Sequence, residues 1–478
     1  MDRMFFEHFA HWLLAGALAL GALISPSAEL KVLSRQPLLM NQHDAARSVR
    51  VYTESVALPT YPFEQYQSSA FDPAYQWRYQ RFDYDRFRDE APQPTARTYH
   101  ALVMENEYLR ITLLPELGGR IWRVVHKPTG ADVFYRNEVV KPTPWGPPGM
   151  QGWLNVGGIE WGLPVVEHGY AWGVPWDATV ERSDGGAVTV ALTLPDDGQA
   201  LTATIRVTLR AGEGSFEIAP TVTNLTGATV AFDFWHNAML APGKANHPSA
   251  ATRFILPTDT VTVHSTADLT LPSANQPMSW PIYNGRDLSR LGAWRDYLGF
   301  FERPAAHGPF VALYDEAQDA GVARVFPADI VRGSKVFGLG WRKPLPSELY
   351  TDDDSAYVEL HAGLAPTFFE RATLAGGASV SWREVWLPLG GIGGVRTANT
   401  VGALNWRRQG DDVRIGFQPA RSFAGELLIM DNALEIARLP VKATPAQPWT
   451  QTLAALDAAG PLHLILKDAT GAVVLESR

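Results

Sequence analysis

The chain of 478 residues contains no cysteine. Its fold therefore cannot lean on disulfides, and a thiolate nucleophile or thiolate metal site is excluded. A basic excess is missing too: the formal charge is −9, with acidic and basic residues interspersed. There is no positive stripe to follow a phosphate backbone, so nucleic acid is not an expected partner. No phosphate-cradling glycine loop, nucleophile elbow or His pair bracketing a Glu at helical spacing occurs. The longest leading apolar run, WLLAGALALGALI from Trp12 to Ile24, is short for a membrane span but of signal-peptide length, with Ser25 and Ser27 behind it. Residues 1–27 are expected to be a signal peptide or an N-terminal anchor, followed by a spacer over 28–48, and the protein is expected to be secreted or extracytoplasmic. Because Arg3 is offset by Asp2 and Glu7, a cytoplasmic chain with a misassigned start stays open.

What the sequence has in quantity is 41 Gly, 35 Pro and 16 Trp, beside 46% hydrophobic residues. That composition favours short strands joined by tight turns over long helices. Alternating segments recur, as in AVTVALTL, LTATIRVTLR and SFEIAPTVTN, while helical stripes are scarce. GRDLSRLGAWRDYLG is the best short helix, and FDPAYQWRYQRFDYDRFRDE reads as an excursion packed over a sheet. So many strands with so few helices predict large sheets packed face to face. A further set of short strands after Thr397 predicts a small immunoglobulin-like sandwich over 397–478.

Five segments carry a more specific signal: ENEYLRITLLPELGGRIWRVVHKPTGADVFYRN, GGIEWGLP, WPIYNGRDLS, TDDDSAYVELHAG and WREVWLPLGGIGG. Together they resemble an uncharacterised bacterial family of unknown function within the galactose-mutarotase-like superfamily. The resemblance implies a β-supersandwich over 49–395 whose concave sheet forms a cup for a sugar or glycan. Epimerases, hydrolases and lyases, and non-catalytic carbohydrate binders share such a fold, so fold alone does not choose among them.

Within YVELH, alternation sends Val358 and Leu360 one way and Tyr357, Glu359 and His361 the other. Aldose 1-epimerases use a carboxylate base and a histidine acid at the anomeric centre, which requires two groups on opposite sides of that carbon with tuned pKa values. The resemblance places Glu359 at the base position, with His361 where those enzymes carry glutamine. It offers His236, in FDFWHNAML, as the acid, with Asn237 beside it. Glu160, after two glycines and near Trp153, Trp161 and Trp172, is the alternative carboxylate. A glycosidase would pair it with Glu359. Arg120 and Trp122 share a strand face, and with Trp161, Asn237 and His361 they are expected to bind the sugar. No cofactor or metal is expected: the three Asp of TDDD cannot converge on one ion and read as a solvated turn.

Overall fold

Strand alternation decides which side of each strand is dry, and the chain uses two versions of it. Strands such as Leu201–Arg210 and Phe216–Asn224 alternate buried and half-buried residues, the pattern of a sheet with one covered face. Strands Trp235–Gly243 and Val358–Gly363 are buried at every position, so both of their faces are covered. The computed structural model describes residues 48–147, 150–302, 305–432, 434–454 and 462–477. The leader expected over residues 1–27 and nearly all of the spacer lie outside them.

Among the described residues the two versions assemble into a 14-stranded and a 9-stranded sheet. Their facing sides share one apolar core that includes Ile111, Ile121, Trp161, Val190, Ile205, Leu313 and Trp386. This is the mainly β, two-sheet supersandwich expected from the sequence. A second apolar layer covers the far side of the larger sheet. There Phe82 and Phe87, from the aromatic excursion, join Phe63, Tyr66, Tyr99, Trp122, Trp153, Met239 and Tyr357. The excursion folds as a hairpin, Gln67–Asp72 with Trp77–Phe82, followed by an α-helix, Tyr84–Glu90. The Asp83 carboxylate caps that helix by accepting from the Arg86 N–H at 3.1 Å.

The helix expected in GRDLSRLGAWRDYLG does not form; only a short 3₁₀ turn, Leu291–Ala293, is present. Asp287 accepts from both the N–H and the hydroxyl of Ser289, at 3.1 and 2.5 Å, and this local side-chain bonding replaces the first helical turn. The three carboxylates of the TDDD turn diverge. Asp352 pairs with Lys141, Asp353 accepts from Thr351 and Ser355, and Asp354 accepts from Ser347.

Beyond residue 396, two four-stranded sheets enclose a separate core of Leu404, Ile415, Phe417, Leu427, Ile429 and Leu464. This sandwich docks on the outer side of the 9-stranded sheet, where Phe310, Ala323 and Leu387 meet Ile392, Val395, Ala403 and Ala420.

Candidate functional site

Residues opposite one another in antiparallel register point to the same face of a sheet. Strands Arg120–His126, Ile159–Gly162, Trp235–Gly243, Val358–Gly363, Gly333–Gly338 and Leu298–Glu302 lie side by side in the larger sheet. Across them Glu160 pairs with Asn237, Asn237 with His361, His361 with Lys335, and Lys335 with Phe301. Ile159 pairs with Ile121, which sets Arg120 next to Glu160. The register therefore writes a polar row, Arg120, Glu160, Asn237, His361 and Lys335, on the side away from the core. Glu359 stands beside the row, two residues before His361.

The two carboxylates are bonded very differently. Glu160 Oε2 accepts from Arg120 Nη2 at 3.0 Å and from Trp153 Nε1 at 2.8 Å. Its Oε1 meets His168 Nδ1 at 2.7 Å and Asn237 Nδ2 at 3.3 Å. All four acceptor positions of Glu160 are filled. Glu359 has two partners: Asn237 Nδ2 donates to Oε1 at 3.1 Å, and His361 Nε2 lies 2.8 Å from Oε2. One amide nitrogen thus bridges both carboxylates, while Asn237 Oδ1 and His361 Nδ1 are buried without a hydrogen-bond partner among the described residues.

His168 arrives from a loop rather than a strand. The turn after Gly162 folds back so tightly that a Cβ on Gly162 would lie 2.4 Å from the Glu167 carbonyl oxygen, and one on Gly169 would lie 2.2 Å from the Leu163 nitrogen. The His168 ring then stacks on Trp153 with centroids 3.9 Å apart. At the other end of the row Phe368 covers the Lys335 ammonium at 4.7 Å and packs edge-on to His264 and His361. Instead of an open cup, the row lies beneath this roof, with Glu160 1% and Glu359 5% exposed. A cavity of about 450 Å³ is lined by Tyr357, Tyr350, Trp341, Leu339 and His247, and its lining includes none of the row's side chains.

Charge partners decide the protonation of these buried groups. Burial opposes ionisation of Glu359, but His361 and Lys335 outweigh it and hold the carboxyl down at about 2. Glu160 is likewise held low against burial by His168 and Arg120. His168 moves upward, because the Glu160 charge overcomes the desolvation of its imidazolium. His361 moves the other way: burial and then the Lys335 charge push it down to about 4. His264 is also driven down by burial and by Lys335.

Residues 78–389 match a domain of unknown function, DUF5107, which accounts for well over half of the chain. The chain belongs to the DUF5107 family. Among solved structures, it superposes on a TPR-domain-containing protein from Parabacteroides distasonis with a TM-score of 0.59 at 18% identity, covering 72% of this chain. The DUF5107 chain spans 55% of the length of that protein. It is also similar to a galactose mutarotase-like protein from Clostridium acetobutylicum, with a TM-score of 0.42 and 10% identity over 61% of this chain and 96% of that one. A galactose mutarotase related enzyme from Lactobacillus acidophilus matches with a TM-score of 0.39 and 14% identity, over 60% and 97% of the two chains.

Of the residues singled out in this DUF5107 sequence, the fold brings Arg120, Glu160, Asn237, Glu359 and His361 together. It separates His236 from them. His236 alternates with Asn237 along one strand, so its ring enters the core between the sheets, with Nε2 3.0 Å from Glu384 Oε2. The expected pairing of Glu359 with His236 across a sugar is therefore not available. Trp161 fails for the same reason: one residue past Glu160, it packs in the core and donates to the Gly119 carbonyl at 2.8 Å. Trp122 does share the side of Arg120, within the second apolar layer. Sequence reading missed His168 and Lys335, and only the tight GLPVVEHG turn could have signalled the former.

Proposed function

We propose that the row is a carbohydrate site of the aldose 1-epimerase type, with Glu359 as the base at an anomeric hydroxyl and His168 or His361 as the imidazole that exchanges the other proton. The observation that carries this reading is the unequal bonding of the two carboxylates. Glu160 is saturated and acts as a positioning residue for Arg120, His168 and Asn237. Glu359 is ionised, keeps unfilled acceptor positions and lies against an imidazole, so its oxygens are free to take a hydroxyl hydrogen. A two-carboxylate glycosidase would need one carboxyl kept protonated as the general acid, and here both are held low. With His168 raised and His361 lowered, the imidazoles supply the donor and acceptor states that the carboxyls do not.

A second reading, a sugar binder without turnover, draws on the depth of burial and the dense ion pairing of the row. Anomer interconversion followed by NMR exchange spectroscopy on a panel of reducing sugars, beside calorimetric titration, separates the two. Catalysis requires that the wild type accelerate interconversion and that Glu359→Gln reduce it roughly 10²- to 10⁴-fold with affinity nearly intact. Binding without acceleration establishes the binder, and absence of binding to every sugar removes the carbohydrate reading.

A further inference from the structure

The carboxylates of Glu359 and Glu167 act on Lys335 only from a distance, and hydrogen-bond capacity within the row leaves its ammonium without an acceptor. Lys335 is 4% exposed, and among the described residues no carboxylate oxygen lies within 4.0 Å of its Nζ. Its polar partner is His361 Nε2 at 3.3 Å. That nitrogen also lies 2.8 Å from Glu359 Oε2, where it must carry the hydrogen, because a carboxylate oxygen can only accept. A ring nitrogen carrying a hydrogen cannot also accept one from the ammonium. Lys335 is then left with the faces of Phe368 and Phe337, at 4.7 and 5.4 Å, which favour a cation but offer no acceptor. Arg120, by contrast, is matched by Glu160.

The same bonding pattern fixes what else the site lacks. With its hydrogen on Nε2, His361 presents a lone pair at Nδ1, and Asn237 presents its carbonyl oxygen, both buried and without a partner among the described residues. A partner that completes the row must bring hydroxyl hydrogens for these two acceptors and a negative group for Lys335. Resting on the carbohydrate reading above, we infer that the sugar recognised by this row is acidic, with its carboxylate, sulfate ester or phosphate ester held by Lys335 and its hydroxyls by Asn237 and His361. Burial and desolvation push the free Lys335 below the ordinary lysine range, a cost that an anionic partner offsets.

Calorimetric titration of the full chain with glucuronate and galacturonate, their neutral parents glucose and galactose, and the corresponding 6-sulfates and 6-phosphates tests the inference. At least one acidic series should bind tenfold or more tightly than its neutral parent, and which series does so identifies the anionic group. Lys335→Met should erase that preference, so that acidic and neutral sugars bind alike to the variant, and Lys335→Arg should retain much of it; thermal melts confirm that each variant is folded. Neutral sugars binding as tightly as acidic ones would overturn the inference and leave the carbohydrate reading standing. A preference that survives Lys335→Met overturns the assignment to Lys335. Failure of every sugar, neutral or acidic, removes both.

Discussion

His236 and Asn237 are neighbours on one strand, yet each belongs to a different buried ionic cluster. On the core side, Glu384 gathers His236 at 3.0 and 3.2 Å, Trp382 at 2.8 Å and Arg324 at 3.6 Å, all carried by strands or residues adjoining them. This cluster ties the two sheets together, since His236 belongs to the larger and Glu384 to the smaller. On the other side, Glu160 and Glu359 share one amide, take an imidazole from a loop and leave buried acceptors bare. Burial of charge is common to both. Incomplete bonding is common to both as well, since among the described residues His236 Nδ1 and Arg324 Nε and Nη1 also lack hydrogen-bond partners; what sets the second cluster apart is its loop-borne imidazole and its place away from the core between the sheets.

The largest effect should come from attacking the core cluster. Glu384→Ala leaves an imidazole and a guanidinium facing each other without their counter-charge, and should cost about 3–5 kcal/mol in urea unfolding. Glu359→Gln, which removes fewer contacts and keeps the shape, should cost clearly less in the same assay. Equal costs would erase the distinction between the two clusters.

Acid should sharpen the comparison next. His361, held down at about 4 when folded, titrates near 6.5 in an unfolded chain. The unfolded state therefore binds the extra proton first, and stability should decline as pH falls from about 6.5 toward 4. Glu359 and Glu384, both held at about 2, keep their contribution above the unfolded glutamate value and lose it as pH falls from about 4.3 toward 2. His361→Asn should flatten the upper part of a stability profile recorded from pH 8 to 3 and, by removing the partner that holds Glu359 down, shrink the Glu359 share of the lower part while leaving that of Glu384. An unchanged profile would place the acid sensitivity on the core side. The smallest effect belongs to the TDDD turn: Asp352→Asn breaks an ion pair at the surface with Lys141 and should change stability by less than about 1 kcal/mol.

Alternation made much of this arrangement legible from sequence. Period two alone puts Tyr357, Glu359 and His361 on one side of their strand and Arg120 with Trp122 on one side of another. The same rule already set His236 apart from Asn237, and a loose motif match could not override it. What sequence could not give was register. Lys335 meets His361 only because two strands more than 20 residues apart pair without a slip, and local pattern does not encode that. The roof was equally hidden, because His168 and Phe368 arrive from loops whose local sequence does not say which sheet face they cover.

The C-terminal sandwich has a practical bearing on how the rest of the chain can be handled. Phe310, Ala312, Val325, Leu387 and Leu389 are dry because that module sits on them. A shortened chain ending near residue 395 would turn this side of the smaller sheet into a sticky apolar surface, prone to clump in solution. Anyone trimming the protein for crystallisation or spectroscopy should keep the module, or replace several of those side chains with polar ones.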